Sequence, residues 1–365
     1  MTFSVVLTLQ RTQHVKIVGV RAVRGQIQEW VSASPIYNEE GCNVAANNKP
    51  TLAQSPTDSI DHESKSALGR ALVTLGDMWT VRILRSVFLG TRRFQELRDE
   101  LDISDPVLSR RLRNLVKAGL LERVRYQTNP TRHEYLPTES GTDLWRIMVA
   151  IWAWDRTWAS PRHRDAHIEL THQACGHQAQ PIFGCGHCGA IGLTARDVRG
   201  SVDDRLLLDV RSERSRRSPV MSTPIDASEV LGDRWSTLVL SDALTGSHRF
   251  GDFQDRINIS PVTLTDRLNL FVETGLMSRE AISSGARRQE YRLTPKGLDI
   301  FSVFATINSW ARQWLSENGS TGLSLTHISC GSELEPRFTC NTCNGVLVLE
   351  DLHFEAADRS EVNDR

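Results

Sequence analysis

From Ser66 to Leu89, apolar Leu68, Leu72, Leu75, Trp79, Ile83 and Val87 recur at three- and four-residue steps. That is the pattern of helices with one buried face. Gly76 and Asp77 interrupt it and predict a break between two helices. Phe94–Leu101 reads as a short third helix. After a turn at Asp102–Ser104, a fourth carries Leu108, Leu112, Leu115 and Val116 on its inner face and is closed by Gly119. Leu121–Tyr126 and His133–Pro137 are strand-like around a polar turn at Gln127–Arg132. A short helix, a tight turn, a second helix and a hairpin make a winged helix-turn-helix, whose second helix can lie in a major groove. Thr138 is then placed to cap a helix bearing Trp145, Met148, Val149 and Trp152, a stripe better suited to core or dimer contacts than to a cofactor.

The same pattern occurs twice. Leu75-Gly76-Asp77-Met78-Trp79 returns as Leu231-Gly232-Asp233-Arg234-Trp235, an offset of 156 residues. The offset also relates Arg93-Phe94 to Arg249-Phe250, Ile103-Ser104 to Ile259-Ser260, Gly119-Leu120 to Gly275-Leu276, Gly141 to Gly297, and Trp154 and Trp158 to Trp310 and Trp314. So long a period means a duplicated domain, because solenoid units span a few tens of residues. The expected fold is mainly α with small β-hairpins (α+β): tandem winged helices at residues 63–195 and 219–350, each ending in a small Cys/His knuckle. Residues 196–218 read as a charged linker and 351–365 as a tail. Residues 1–62 match neither repeat and read as a poorly ordered extension.

Composition narrows the function. The net charge of −1 over 365 residues gives no general affinity for polyanions, so a basic surface must be local. No run of eighteen apolar residues is present to span a membrane, and Phe3–Leu9 lacks the flanks of a secretory signal, which places the protein in the cytoplasm. No phosphate loop, nucleophile elbow or carboxylate pair appears, so no enzyme is expected.

Six of the seven cysteines fall late in the two repeats; Cys42 stands apart. His172, Cys175, Cys185 and Cys188 are spaced as His327, Cys330, Cys340 and Cys343, with identical intervals of two, nine and two residues. Three thiolates and an imidazole suit a closed tetrahedral Zn²⁺ site, and the spacing assigns one such structural site to each repeat. His177 and His187 are replaced by Ser332 and Thr342 in the second repeat, which favours His172 and His327 as ligands. Reduced thiols without metal and redox-labile disulfides are the alternatives.

Several segments together resemble the HxlR family of winged-helix regulators: Leu75-Gly76-Asp77-x-Trp79, Gly90-x-Arg92-Arg93-Phe94-x-x-Leu97, Ile103-Ser104-x-x-x-Leu108-Ser109-x-Arg111-Leu112, Leu115-x-x-x-Gly119-Leu120 and Tyr135-x-x-Thr138-x-x-Gly141. The resemblance implies a regulator that binds specific double-stranded DNA as a dimer, here either a homodimer or a pseudo-dimer within one chain; no effector follows from it. A transcription-associated adaptor that docks protein is the alternative function. Where many members carry a cysteine at the start of the first helix, this chain has Ser66 and Ser222.

The repeats differ in charge. Ser104–Leu120 holds Arg110, Arg111, Arg113 and Lys117 against Asp105, a net of +3; Ser260–Leu276 holds Arg267 against Asp266 and Glu273, a net of −1. Phosphates attract the first and repel the second, so the first repeat is expected to be the stronger reader. The expected DNA-contacting residues are Ser104, Ser109, Arg110 and Arg113 on the fourth helix of the first repeat and Arg125, Arg132 and His133 in its wing. The second repeat offers Ser260, Thr265, Arg267, Arg287 and Arg288.

Overall fold

The computed structural model describes residues 66–159, 168–202, 227, 230, 234–281, 289–317 and 319–356. They all lie in one compact unit, Ile60–Arg365. The readings for residues 1–62, Arg287 and Arg288 fall outside the described residues, as does most of the linker.

The first repeat runs α1 (Ala67–Leu75), α2 (Met78–Phe88), α3 (Phe94–Leu101), α4 (Asp105–Lys117), β1 (Leu121–Gln127), β2 (Arg132–Pro137), α5 (Glu139–Thr142) and α6 (Trp145–Trp158). Asp77 explains the break at Gly76: its Oδ1 accepts from Thr80 N at 3.0 Å and so starts α2. The turn between α3 and α4 uses Asp102 at φ 48°, and its counterpart Asn258 takes the same value; both residue types tolerate this left-handed conformation. Leu108, Leu112 and Leu115 of α4 are buried.

The second repeat gives α7 (Arg234–Leu244), α8 (Phe250–Ile257), α9 (Pro261–Glu273), β7 (Met277–Ala281), β8 (Gln289–Leu293), α10 (Pro295–Asp299) and α11 (Phe301–Trp314). Each wing is an antiparallel hairpin, β1 with β2 and β7 with β8. Behind each wing Thr138 and Thr294 cap as expected, accepting from Gly141 N at 3.1 Å and Gly297 N at 3.2 Å. A Cβ on Gly141 would lie 1.9 Å from Leu120 O, and one on Gly297 2.1 Å from Leu276 O. Only glycine lets this turn approach the carbonyl that follows α4, and α9 in the second repeat. Gly141→Ala is therefore expected to cost roughly 1–3 kcal/mol, read as a lowered denaturation midpoint; an unchanged midpoint would show that the backbone yields freely there.

The aromatic helices α6 and α11 pack on each other, and their contacts are reciprocal. Trp154 Nε1 donates to Lys296 O at 3.1 Å, and Trp310 Nε1 to Ser140 O at 3.0 Å. Trp158 Nε1 donates to Asp299 Oδ2 at 2.7 Å, and Trp314 Nε1 to Asp143 Oδ2 at 2.9 Å. These four indoles join the two repeats within one chain. α1 also packs against α11, with Ser66 Oγ donating to Thr321 O at 2.7 Å.

After these helices the repeats exchange strands. The first contributes β3 (Ile168–His172), β4 (His177–Gln178), β5 (Pro181–Cys185) and β6 (Val198–Val202); the second contributes β9 (Leu323–His327), β10 (Pro336–Cys340) and β11 (Leu352–Ala356). β5 pairs with β10, β3 with β11 and β6 with β9, all antiparallel. Two expectations are corrected here. Residues 198–202 are a strand of the fold rather than linker, and 352–356 are a strand rather than tail. Within Val198–Val202 only Arg199 is charged, so the charge of Arg196–Ser218 as a whole carried no information about this strand.

Candidate metal centres and nucleic-acid interface

In the β5–β10 ribbon Phe183 stands opposite Phe338, ring centroids 5.6 Å apart, at the middle of a symmetric register. Cys185 therefore lies opposite Pro336 and Cys340 opposite Pro181, which sends the two Cys-x-x-Cys turns to opposite ends of the ribbon. There each meets the His-x-x-Cys turn of the other repeat. One group is His172, Cys175, Cys340 and Cys343; the other is Cys185, Cys188, His327 and Cys330. The eight residues named from spacing converge, but the assignment of one complete site to each repeat is corrected: every group draws two ligands from each copy.

Within each group all ligand atoms lie within 4.8 Å of one another. His172 Nδ1 is 3.3 Å from both Cys175 Sγ and Cys343 Sγ, and Cys175 Sγ is 3.9 Å from Cys340 Sγ. In the other group His327 Nδ1 is 3.2 Å from Cys330 Sγ and 3.3 Å from Cys188 Sγ. A tetrahedral zinc would set sulfur pairs about 3.8 Å apart and sulfur–nitrogen pairs about 3.6 Å apart. The spacing fits a metal of that size through Nδ1. Both imidazoles and the thiols of Cys185 and Cys340 are buried, whereas Cys188 and Cys343 lie at the surface.

The turns favour the thiolate at the buried Cys185 and Cys340, whereas at Cys175 and Cys188 a backbone amide is outweighed by burial and neighbouring thiols, which raise them. Gly176 and Gly331 close the His-x-x-Cys turns at φ 71° and 70°, and Gly189 and Asn344 follow the Cys-x-x-Cys turns at φ 81° and 55°. Burial pushes the Cys340 thiol up, but amides of Cys343 and Thr342 and neighbouring thiols outweigh it and bring the group down to about 6. Cys185 is lowered in the same way, burial being outweighed by the amides of Cys188, Glu335 and His187. A Cβ on Gly345 would sit 3.1 Å from Cys343 Sγ and 3.2 Å from His172 Cε1.

On α4, Ser104, Arg110 and Arg113 are exposed and Ser109 is half-buried. Ser104 occupies the N-cap position without a side-chain capping bond. Arg111, adjacent in sequence, is held inward: its NH2 lies 2.6 Å from Asp77 Oδ2. Burial lowers the affinity of this guanidinium for its proton, with Asp77 opposing. In the wing Arg125 and Arg132 are exposed, while His133 is half-buried with Nδ1 3.0 Å from Arg123 NH2. Desolvation first, then Arg123 and Arg125, lower its pKa. Arg123 was missed by the sequence reading, although its two-residue spacing from Arg125 in a strand places both on one face.

The second repeat differs. Ser260 caps α9, accepting from Thr263 N at 3.2 Å, and Thr265 Oγ1 donates back to Pro261 O at 2.8 Å. Arg267 stands at the position of Arg111 and is half-buried with its Nε enclosed. Asn269, standing where the first repeat has Arg113, accepts from Arg279 NH2 of its own wing at 2.5 Å.

The HxlR-like helix-turn-helix family model matches residues 74–163 and again 230–319. The chain belongs to this family. An uncharacterised HTH-type transcriptional regulator of Mycobacterium tuberculosis is 46% identical over 132 residues, 36% of this chain and 82% of its own length. The HxlR-like repeats are also similar to the HTH-type transcriptional regulator YodB of Bacillus subtilis, at 30% identity over 26% of this chain and 85% of that protein. The structure of a candidate transcription factor from Pseudomonas aeruginosa aligns at 33% identity and TM-score 0.27, over 34% of this chain and 84% of its own.

Among the described residues no helix is long and apolar enough to cross a membrane.

Proposed function

We propose that this HxlR-like chain is a sequence-specific DNA-binding transcription regulator, with α4 in the major groove and the β1–β2 wing on the backbone. The observation that carries this reading is the division of labour on α4. Its leucines face the core and Arg111 is tied to Asp77, while Arg110 and Arg113 face solvent. Exposed arginines on a recognition helix can grip phosphate or read guanine bidentately. Arg125 and Arg132 extend the basic surface into the wing. The net −1 on Ser260–Leu276 and the Arg279–Asn269 bond make the second repeat the weaker reader, one suited to a different half-site. Two readers in one chain would meet half-sites about 34–36 Å apart, forming an imperfect palindrome.

Arg113→Ala is the direct test. Operator affinity is expected to fall by roughly 1–3 kcal/mol, about 5- to 150-fold, if the guanidinium touches a base. An unchanged affinity and an unchanged salt dependence would remove Arg113 from the interface.

The two Cys/His groups are read as structural Zn²⁺ sites. Three thiolates and an imidazole at these spacings suit zinc, and four protein ligands leave no position for a reacting water. Two zinc ions per chain in freshly purified, reduced protein are expected from elemental analysis.

A further inference from the structure

We infer that the two metal centres are staples between the repeats, so that the pairing of the two DNA readers in this chain depends on metal. This rests on the zinc reading of the Cys/His groups. A structural zinc knuckle ordinarily folds one local segment. Here each group takes its His-x-x-Cys turn from one repeat and its Cys-x-x-Cys turn from the other, so neither repeat holds a complete ligand set.

The surrounding structure reinforces the exchange. His172 sits opposite Leu352 in the β3–β11 ladder and His327 opposite Val198 in the β6–β9 ladder. Each imidazole is thus anchored on a strand whose partner comes from the other repeat. Gly186 N donates to Glu335 O at 2.7 Å across the same boundary. An ion in either group closes a covalent-like ring through both repeats. The two rings lie at opposite ends of the β5–β10 ribbon, where they resist rotation of one repeat about the other.

A pair of double variants separates this arrangement from one site per repeat. Cys175→Ser with Cys340→Ser removes two ligands from one interleaved group and leaves the other whole. Cys175→Ser with Cys185→Ser removes one ligand from each. Zinc retained against a competing chelator is expected to fall from two per chain to one in the first variant and to none in the second. The reverse result, none and one, would overturn the staple and leave the zinc reading standing. Absence of zinc from the parent protein would overturn both. Folding of the variants need not be assumed, because the unsubstituted protein loaded with cadmium reports through metal–cysteine couplings in NMR which thiols share an ion; Cys175 and Cys340 are expected on one. Small-angle scattering completes the test: chelation should raise the radius of gyration and added zinc restore it. A chain that stays equally compact without metal would show that the ions do not hold the repeats together.

Discussion

Trp154→Ala is expected to lower the free energy of unfolding by roughly 3–5 kcal/mol. The indole is 2% exposed, and Lys296 Nζ lies 5.5 Å from its ring centre. Truncation removes this packing and leaves Lys296 O without the donor it has at 3.1 Å. Trp154→Phe keeps most of the ring but loses the bond, which should cost about 1–2 kcal/mol. Trp158 is less buried than Trp154, so Trp158→Ala should cost less than Trp154→Ala. Denaturant titrations of the three variants provide the ranking. A loss below about 1 kcal/mol for Trp154→Ala would mean that the junction between the repeats relaxes around the cavity.

The second large effect is expected at Asp77, whose carboxylate has two tasks. Oδ1 caps α2, and Oδ2 lies 2.6 Å from Arg111 on α4. Removing a cap costs about 1 kcal/mol, and orphaning a buried partner costs about 3–5 kcal/mol. Both side chains are about one-quarter exposed, so solvent reduces the second figure, and roughly 2–4 kcal/mol is expected in all for Asp77→Ala. Asp77→Asn keeps a capping oxygen and discards the charge. If the two variants unfold at the same midpoint, the ion pair dominates; if the asparagine variant resembles the parent, the cap does.

The repeat, the helices and both wings were legible in the sequence because each depends on local rules: periodic leucines, left-handed turn residues and threonine caps. The eight metal-binding candidates were legible for the same reason. Their grouping was not. Two identical spacings are compatible with ligands kept within a copy or traded between copies, and only the β5–β10 register separates these possibilities. Arg111 shows a related limit. Its charge counts toward a basic helix surface until the pair with Asp77 shows the guanidinium held inward. The strands β6 and β11 escaped notice because what makes them strands is a partner over a hundred residues away, and no property of Val198–Val202 or Leu352–Ala356 alone announces that ladder.

The symmetric register about Phe183 and Phe338 has a consequence for how such a molecule can change. A homodimer must place the same helix on both halves of its operator, so any alteration is made twice. Here the self-matching surface is preserved inside a single polypeptide, while the outward helices are encoded separately and have already drifted apart in charge. On the proposed function the chain acts as a heterodimer of fixed stoichiometry, its two outward helices addressing two unlike half-sites.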